Sequence, residues 1–252
     1  WKATVSRLQA AATLPPQQRN WKAALQQPLE LTVRLPGTNQ APLQVSTGAG
    51  QLQVSGPEAG NAKIAWQPLQ LSLANGQGMQ LQSIGTVQGL PLRWVRAFQS
   101  KEAQAQPNNT LDSDLVLQGQ WNVALANSLK ANVVLERASG DLRLHAQASE
   151  LKNVTLHSSG KPGSIAKAFS DEGSTINAGI RTMRVEVTAQ DHDVRADVRW
   201  DTNNAGTLAA QLQTQLQYPG TDVSQATVAP DAPLTGTIKA NMPDLGVWAN
   251  FA

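Results

Sequence analysis

Three histidines, His145, His157 and His192, are the first side chains to examine for chemistry. None has a second His or a carboxylate pair at the spacing that places ligands on one helix face, and no His-Glu-x-x-His motif occurs. Asp191-His192-Asp193 resembles a metal-binding triplet in isolation. It lies between two alternating segments, however, and reads as a solvated hairpin tip. Thr47-Gly48-Ala49-Gly50 offers a pair of glycines but no helix follows it. The strand-like Gln51-Leu52-Gln53-Val54 makes it a turn rather than a phosphate cradle. There is no Gly-x-Ser-x-Gly elbow. Glu136-Arg137 and Gly140-Asp141 are expected to flank a hairpin and to pair across strands. Arg93 and Arg96 could meet a lipid phosphate, yet basic residues late in a short helix commonly complement its dipole. No acid/base pair, metal site or cofactor site emerges, and the expectation is a protein that is not an enzyme.

The elements that would position these residues are strands. Leu29, Leu31, Val33 and Leu35 alternate with polar residues, as do Leu69, Leu71 and Leu73. A longer run joins Leu115, Leu117, Gly119, Trp121, Val123 and Leu125. Further runs carry Leu129, Ala131, Val133 and Leu135; Leu142 and Leu144; Val154 and Leu156; Val185 and Val187; Val194, Ala196, Val198 and Trp200; Leu208, Ala210, Leu212 and Leu216; and Leu234, Ile238, Ala240 and Met242. Successive strand side chains face opposite ways, so each run has one apolar face. About thirteen such segments at meander spacing predict a mainly β chain with a mostly antiparallel sheet roughly 60 Å long. Turn chemistry separates them at Ala138-Ser139-Gly140-Asp141, Ala189-Gln190-Asp191-His192-Asp193 and Asp201-Thr202-Asn203-Asn204-Ala205-Gly206.

Helical spacing occurs in two places. Leu92, Val95 and Phe98, with Trp94 alongside, follow Pro91; Leu245, Trp248 and Phe251 follow Pro243 and Asp244. Helices this short need their anchors packed on the sheet. A further helical turn is possible near Ile165–Phe169. The expected organisation is a β-rich segment at 1–98 ending in a short helix, a polar connection at 99–111, and a β segment at 112–252, forming one elongated domain. Nothing is placed in the first 26 residues.

The 252 residues carry 20 basic and 18 acidic side chains, 15% in total, and no cysteine. Uncharged polar residues take the place of the missing charge, and with the two signs nearly balanced there is no large field of one sign for nucleic acid despite a pI near 9.1. Absence of Cys excludes disulfides, thiolate metal sites and a cysteine nucleophile. No run reaches the length of a membrane span, and the abrupt start and end are those expected of a piece of a longer polypeptide.

With only two or three short amphipathic helices, nothing in the pattern supplies a layer to cover the apolar faces. Two arrangements remain: a sandwich or filled barrel whose Leu and Val form a core, or an open trough. A trough would take acyl chains at about 0.8 kcal/mol per methylene. Its expected lining is Leu115, Leu117, Trp121, Val123, Leu125, Val133, Leu135, Val185, Val187, Val194, Val198, Leu208, Leu212 and Leu216. A one-residue register error would reverse any of these.

Gly89-Leu90-Pro91-Leu92-Arg93-Trp94, Ser113-Asp114-Leu115-Val116-Leu117-Gln118-Gly119-Gln120-Trp121-Asn122-Val123 and Leu135-Glu136-Arg137-Ala138-Ser139-Gly140-Asp141-Leu142, in this order and spacing, resemble the TamB family. Ala240-Asn241-Met242-Pro243-Asp244-Leu245 is similar to the stretch before that family's C-terminal region. The resemblance covers about 89–252. It implies an AsmA-like, bridge-like lipid-transfer protein: a periplasmic β-taco, U-shaped with an apolar inside, whose parent chain has an inner-membrane anchor. It also implies a TamA-like outer-membrane partner of the Omp85 class, reached through regions outside this chain. The associated roles are phospholipid transport between the two membranes and assembly of outer-membrane β-barrel clients. No catalytic residues carry over. The resemblance favours the trough over the sandwich.

Overall fold

A computed structural model describes residues 1–14, 19–36, 42–74, 78–98, 112–126, 128–145, 175–218, 225–229 and 231–242. The described chain is mainly β, and its chief element is one open antiparallel sheet of 16 strands. The first nine are β1 (Lys2–Val5), β2 (Gln9–Leu14), β3 (Arg19–Leu25), β4 (Leu29–Arg34), β5 (Leu43–Thr47), β6 (Gly50–Ser55), β7 (Asn61–Trp66), β8 (Leu69–Ala74) and β9 (Gly78–Pro91). A 3₁₀ helix, Leu92–Phe98, follows. Then come β10 (Asp112–Ser113), β11 (Val116–Leu125), β12 (Leu129–Ser139), β13 (Leu142–His145), β14 (Thr175–Asn177), β15 (Ile180–Gln190), β16 (Asp193–Thr202), β17 (Thr207–Gln217), β18 (Thr227–Val228) and β19 (Thr235–Asn241).

The sheet is an up-and-down meander whose early strands are each split in two. β8 and β7 pair with successive halves of the unbroken β9. β5 and β6 pair with β8 and β7 in turn, β4 and β3 with β5 and β6, and β1 and β2 with β4 and β3. The interruptions at Ser6–Leu8, Gln26–Pro28, Gly48–Ala49 and Gln67–Pro68 fall side by side. Ladder bonds bridge them: Leu25 N donates to Leu8 O, Gln26 N to Gln51 O, Gly48 N to Glu30 O and Gln67 N to Ile84 O. Pro28 and Pro68 cannot donate, so both sit in the interruptions rather than in a ladder. The sheet continues β9–β11–β12–β15–β16–β17 without a change of order. β10, β13 and β14 form a separate three-stranded sheet.

Several expectations are corrected. Against the two or three short helices expected, the described residues hold one, the seven-residue 3₁₀ helix after Pro91. Thr47-Gly48-Ala49-Gly50 is a break within one line of chain rather than a reversal. Ala138-Ser139-Gly140-Asp141 does not close a hairpin within the large sheet: at Gly140 (φ 79) the chain leaves for β13 in the small one. A side chain at that left-handed position would also meet the Asp114 backbone. The first 26 residues form β1, β2 and β3. The second proposed helix with Leu245, Trp248 and Phe251, the Val154–Leu156 segment, His157, the turn at 165–169 and the 99–111 connection lie outside the described residues.

A packed core exists at one end of the sheet. Leu115, Leu117, Leu142, Ala178, Ile180 and Ala205 are buried together, with Leu90, Leu92, Met183 and Trp200 against them. Buried polar groups fasten it. Asp141 Oδ1 accepts from Leu142 N (2.9 Å) and Ile180 N (3.0 Å), and its Oδ2 from Gly179 N (2.8 Å). Ser113 Oγ accepts from Leu115 N, and Thr202 Oγ1 donates to Gly206 O while accepting from Ala205 N. These contacts satisfy main-chain groups that connections would otherwise leave unpaired.

Candidate functional site

Directly opposed residues of neighbouring strands share a face, so the register assigns each side chain to a face. Leu25, Leu52, Ile64, Val87, Gly119, Leu135, Val185, Val198, Ala210 and Ile238 oppose one another in turn. That row crosses ten strands, about 43 Å at the usual strand spacing of about 4.8 Å. The next row on the same face runs Gly50, Trp66, Gly85, Trp121, Val133, Val187, Ala196, Leu212 and Gly236. A third joins Val33, Val45, Leu71, Leu81, Leu125 and Leu129. Breaks within β1/β2, β5/β6 and β7/β8 shift the phase by one. The apolar positions therefore switch between odd and even numbers there while staying on one face.

The Gly–Trp–Gly–Trp stretch has a steric logic. A Cβ on Gly50 would collide with the Trp66 ring, and one on Gly85 with the Trp121 ring. Each indole thus lies over the bare backbone of its neighbour. Trp121 Nε1 donates to Ser83 Oγ at 2.9 Å.

Thirteen of the fourteen expected lining residues keep the phase of this face. Val123, Val133, Leu135, Val185, Val187, Val194, Val198, Leu208, Leu212, Leu216 and Trp121 are half-buried on it. Leu125 is buried at 7% exposure. Leu117 is in phase but, at 6% exposure, belongs to the packed core. Leu115 is corrected: it precedes the strand and is wholly buried at 0% exposure, a core residue rather than a groove residue. Among the helix residues, Leu92 packs on the core and Trp94 is buried. Trp94 meets Trp21 edge-on at 5.1 Å and donates to Glu58 O at 3.2 Å. Val95 is no anchor, being 47% exposed. Phe98 ends the 3₁₀ helix.

Among the described residues the cover on the apolar face is the 3₁₀ helix and the packed core at one end. Among the described residues no second sheet faces the middle rows, and they form no sandwich there. The opposite face is polar. Arg184 pairs with Glu136 across strands and with Glu186 at 3.0 Å. Asn132 Nδ2 donates to Glu186 at 3.0 Å. The Asn132 bond, then Arg184, hold the Glu186 carboxyl below its ordinary value, and the bond to Glu186 raises Arg184. Depressions of about 1040 and 710 Å³ on this face are walled by side chains such as Asn122, Thr188 and Arg195, and Gln67 and Gln120.

At the hairpin tip Asp191 takes φ 55, and His192 stacks on Tyr218 at 4.3 Å. His192 Nδ1 lies 3.0 Å from Leu216 O. Ring and main-chain contacts thus engage the His192 imidazole of this triplet. Among the described residues no group of three or more His, Asp or Glu could hold a metal, and no helix is long and apolar enough to cross a membrane. No family model, curated protein or solved structure matches the chain.

Reasoning from the sequence read the Leu29–Leu35 and Leu69–Leu73 runs but left Leu25, Ile64 and Val87 out of the N-terminal half of the face and read Leu52 only as part of a strand after a turn. Their alternation is legible only once the phase shift at each break is allowed.

Proposed function

We propose that this chain is a segment of a periplasmic lipid conduit of the TamB type, whose apolar face carries phospholipid acyl chains between two membranes without catalysis. The observation that carries this is an apolar row crossing ten strands and left half-exposed. An apolar surface of that extent marks an interaction site. Sixteen methylenes laid on it would gain up to roughly 12 kcal/mol, spread evenly and without specific contacts. Even distribution lets a chain slide, since each step exchanges equivalent contacts. The resemblance in the 89–142 motifs supports the compartment and the TamA-like partner.

Native mass spectrometry of the chain purified from lipid-rich membranes tests the reading. Phospholipid is expected on the unmodified chain and absent from Val187→Asp, which places a charge in the middle of the face. Retention of strand signal in circular dichroism shows that the variant folds. An unmodified chain that carries no lipid under native conditions would refute the conduit.

One feature favours a second reading, a scaffold for outer-membrane β-barrel clients. β19 pairs with β17 and is exposed along its whole length, with Ile238 at 65%. An exposed edge strand can accept another by strand addition. Crosslinkers along β19 would capture client strands on this reading; lipid captured from the middle rows, with no client at β19, would count against it.

A further inference from the structure

We infer that Arg137 receives the phosphate of a phospholipid headgroup at the packed end of the apolar face; this rests on the lipid reading above. Among strand residues of the large sheet whose side chains are described, Arg137 is the one charged residue in phase with that face. It opposes Leu117 and follows Leu135 by two positions. It is half-buried, and its Nε donates to Gly140 O at 2.9 Å. The other guanidinium donors make no ion pair among the described residues. The neighbouring carboxylates are already engaged: Glu136 with Arg184, Asp141 with three main-chain amides, and Asp114 with Asp141 N and Arg143.

A half-buried guanidinium with donors open to solvent beside an apolar surface is placed to exchange water for an anion, since charge-assisted bonds are strengthened there. Its planar fork matches two phosphate oxygens. Arg93 adds a second cation at this end. It stands on the 3₁₀ helix next to Leu92, whose N–H donates to Leu115 O. Its Nε is buried without a hydrogen-bond partner among the described residues. Arg137 lies two residues beyond Leu135, at the margin where the uncharged rows meet the packed core, and a cation at that margin matches an amphiphile with an anionic head and apolar tails.

The test compares fluorescent phosphatidylglycerol with a diacylglycerol of the same acyl chains, each offered to the purified chain from neutral vesicles. The unmodified chain should bind the phospholipid about tenfold more tightly, the worth of a charge-assisted pair. Arg137→Gln should abolish that preference and leave diacylglycerol binding unchanged, while Arg137→Lys should keep part of it. Inorganic phosphate in the millimolar range should not displace the phospholipid. Equal binding of the two lipids by the unmodified chain, a measurement that needs no substitution, would overturn the assignment. So would an undiminished preference in Arg137→Gln, or displacement by phosphate, which would mark a free-anion site. Binding of neither lipid is the distinct outcome in which the apolar-face reading itself fails.

Discussion

The alternation of Gly85 with Trp66 and Trp121 makes a quantitative demand. In Gly85→Ala the new methyl meets the Trp121 ring and, at 2.6 Å, the carbonyl oxygen of Ala65. The ring must lift from the sheet, and its hydrogen bond to Ser83 is lost. Overpacking of this kind costs about 1–3 kcal/mol and the hydrogen bond about 1 more. A total of about 2–4 kcal/mol would lower the urea midpoint by roughly 1 M at the ordinary slope for a chain of this size. The decisive comparison is a double-mutant cycle with Trp121→Ala. With the indole gone, Gly85→Ala keeps its clash with the Ala65 backbone but loses the share due to the ring and its hydrogen bond, leaving a coupling of about 1–3 kcal/mol. Denaturation followed by circular dichroism reads all four chains. Equal midpoint shifts from Gly85→Ala in both backgrounds would show that the ring does not rest on that glycine.

Two further outcomes are expected. Asp141→Asn turns an amide towards one of the three N–H donors now held by the carboxylate, and should destabilise the packed end by about 2–4 kcal/mol; a loss below about 0.5 kcal/mol in urea denaturation would remove Asp141 as its fastener. Glu186, depressed from its ordinary value of 4.5, contributes stability that is present above that pH and lost as pH falls through its folded value. Asn132→Ala removes the first cause of the depression, so the carboxyl should titrate at higher pH and the acid loss begin earlier; a carboxyl resonance titrating as before would exclude that bond.

Strand content and the apolar phase of the C-terminal half were legible because β11, β12, β15, β16 and β17 are unbroken and joined to their neighbours in chain order. Period-two alternation there is a local property of each run. Leu115 was misread because alternation says nothing about where a strand starts. Its burial depends on Leu142, Ala178 and Ala205, which arrive from distant connections. Arg137 continues the Leu129–Leu135 alternation, but with a hairpin expected at Ala138–Asp141 it was read as a flanking charge rather than as a cation on the apolar side. The N-terminal half was harder still. Pro28 and Pro68 mark interruptions, but only the ladders reveal that these line up and that the phase changes at some of them.

The meander's sequential order has a consequence for size. Each line of chain takes its register from the lines beside it, as in a solenoid whose units touch only their neighbours. Adding or removing one hairpin, an up strand with its down partner, would leave orientation and facing unchanged elsewhere and alter the span by about 10 Å. Reach in such a molecule is set by counting repeats, and can be tuned without redesigning a core.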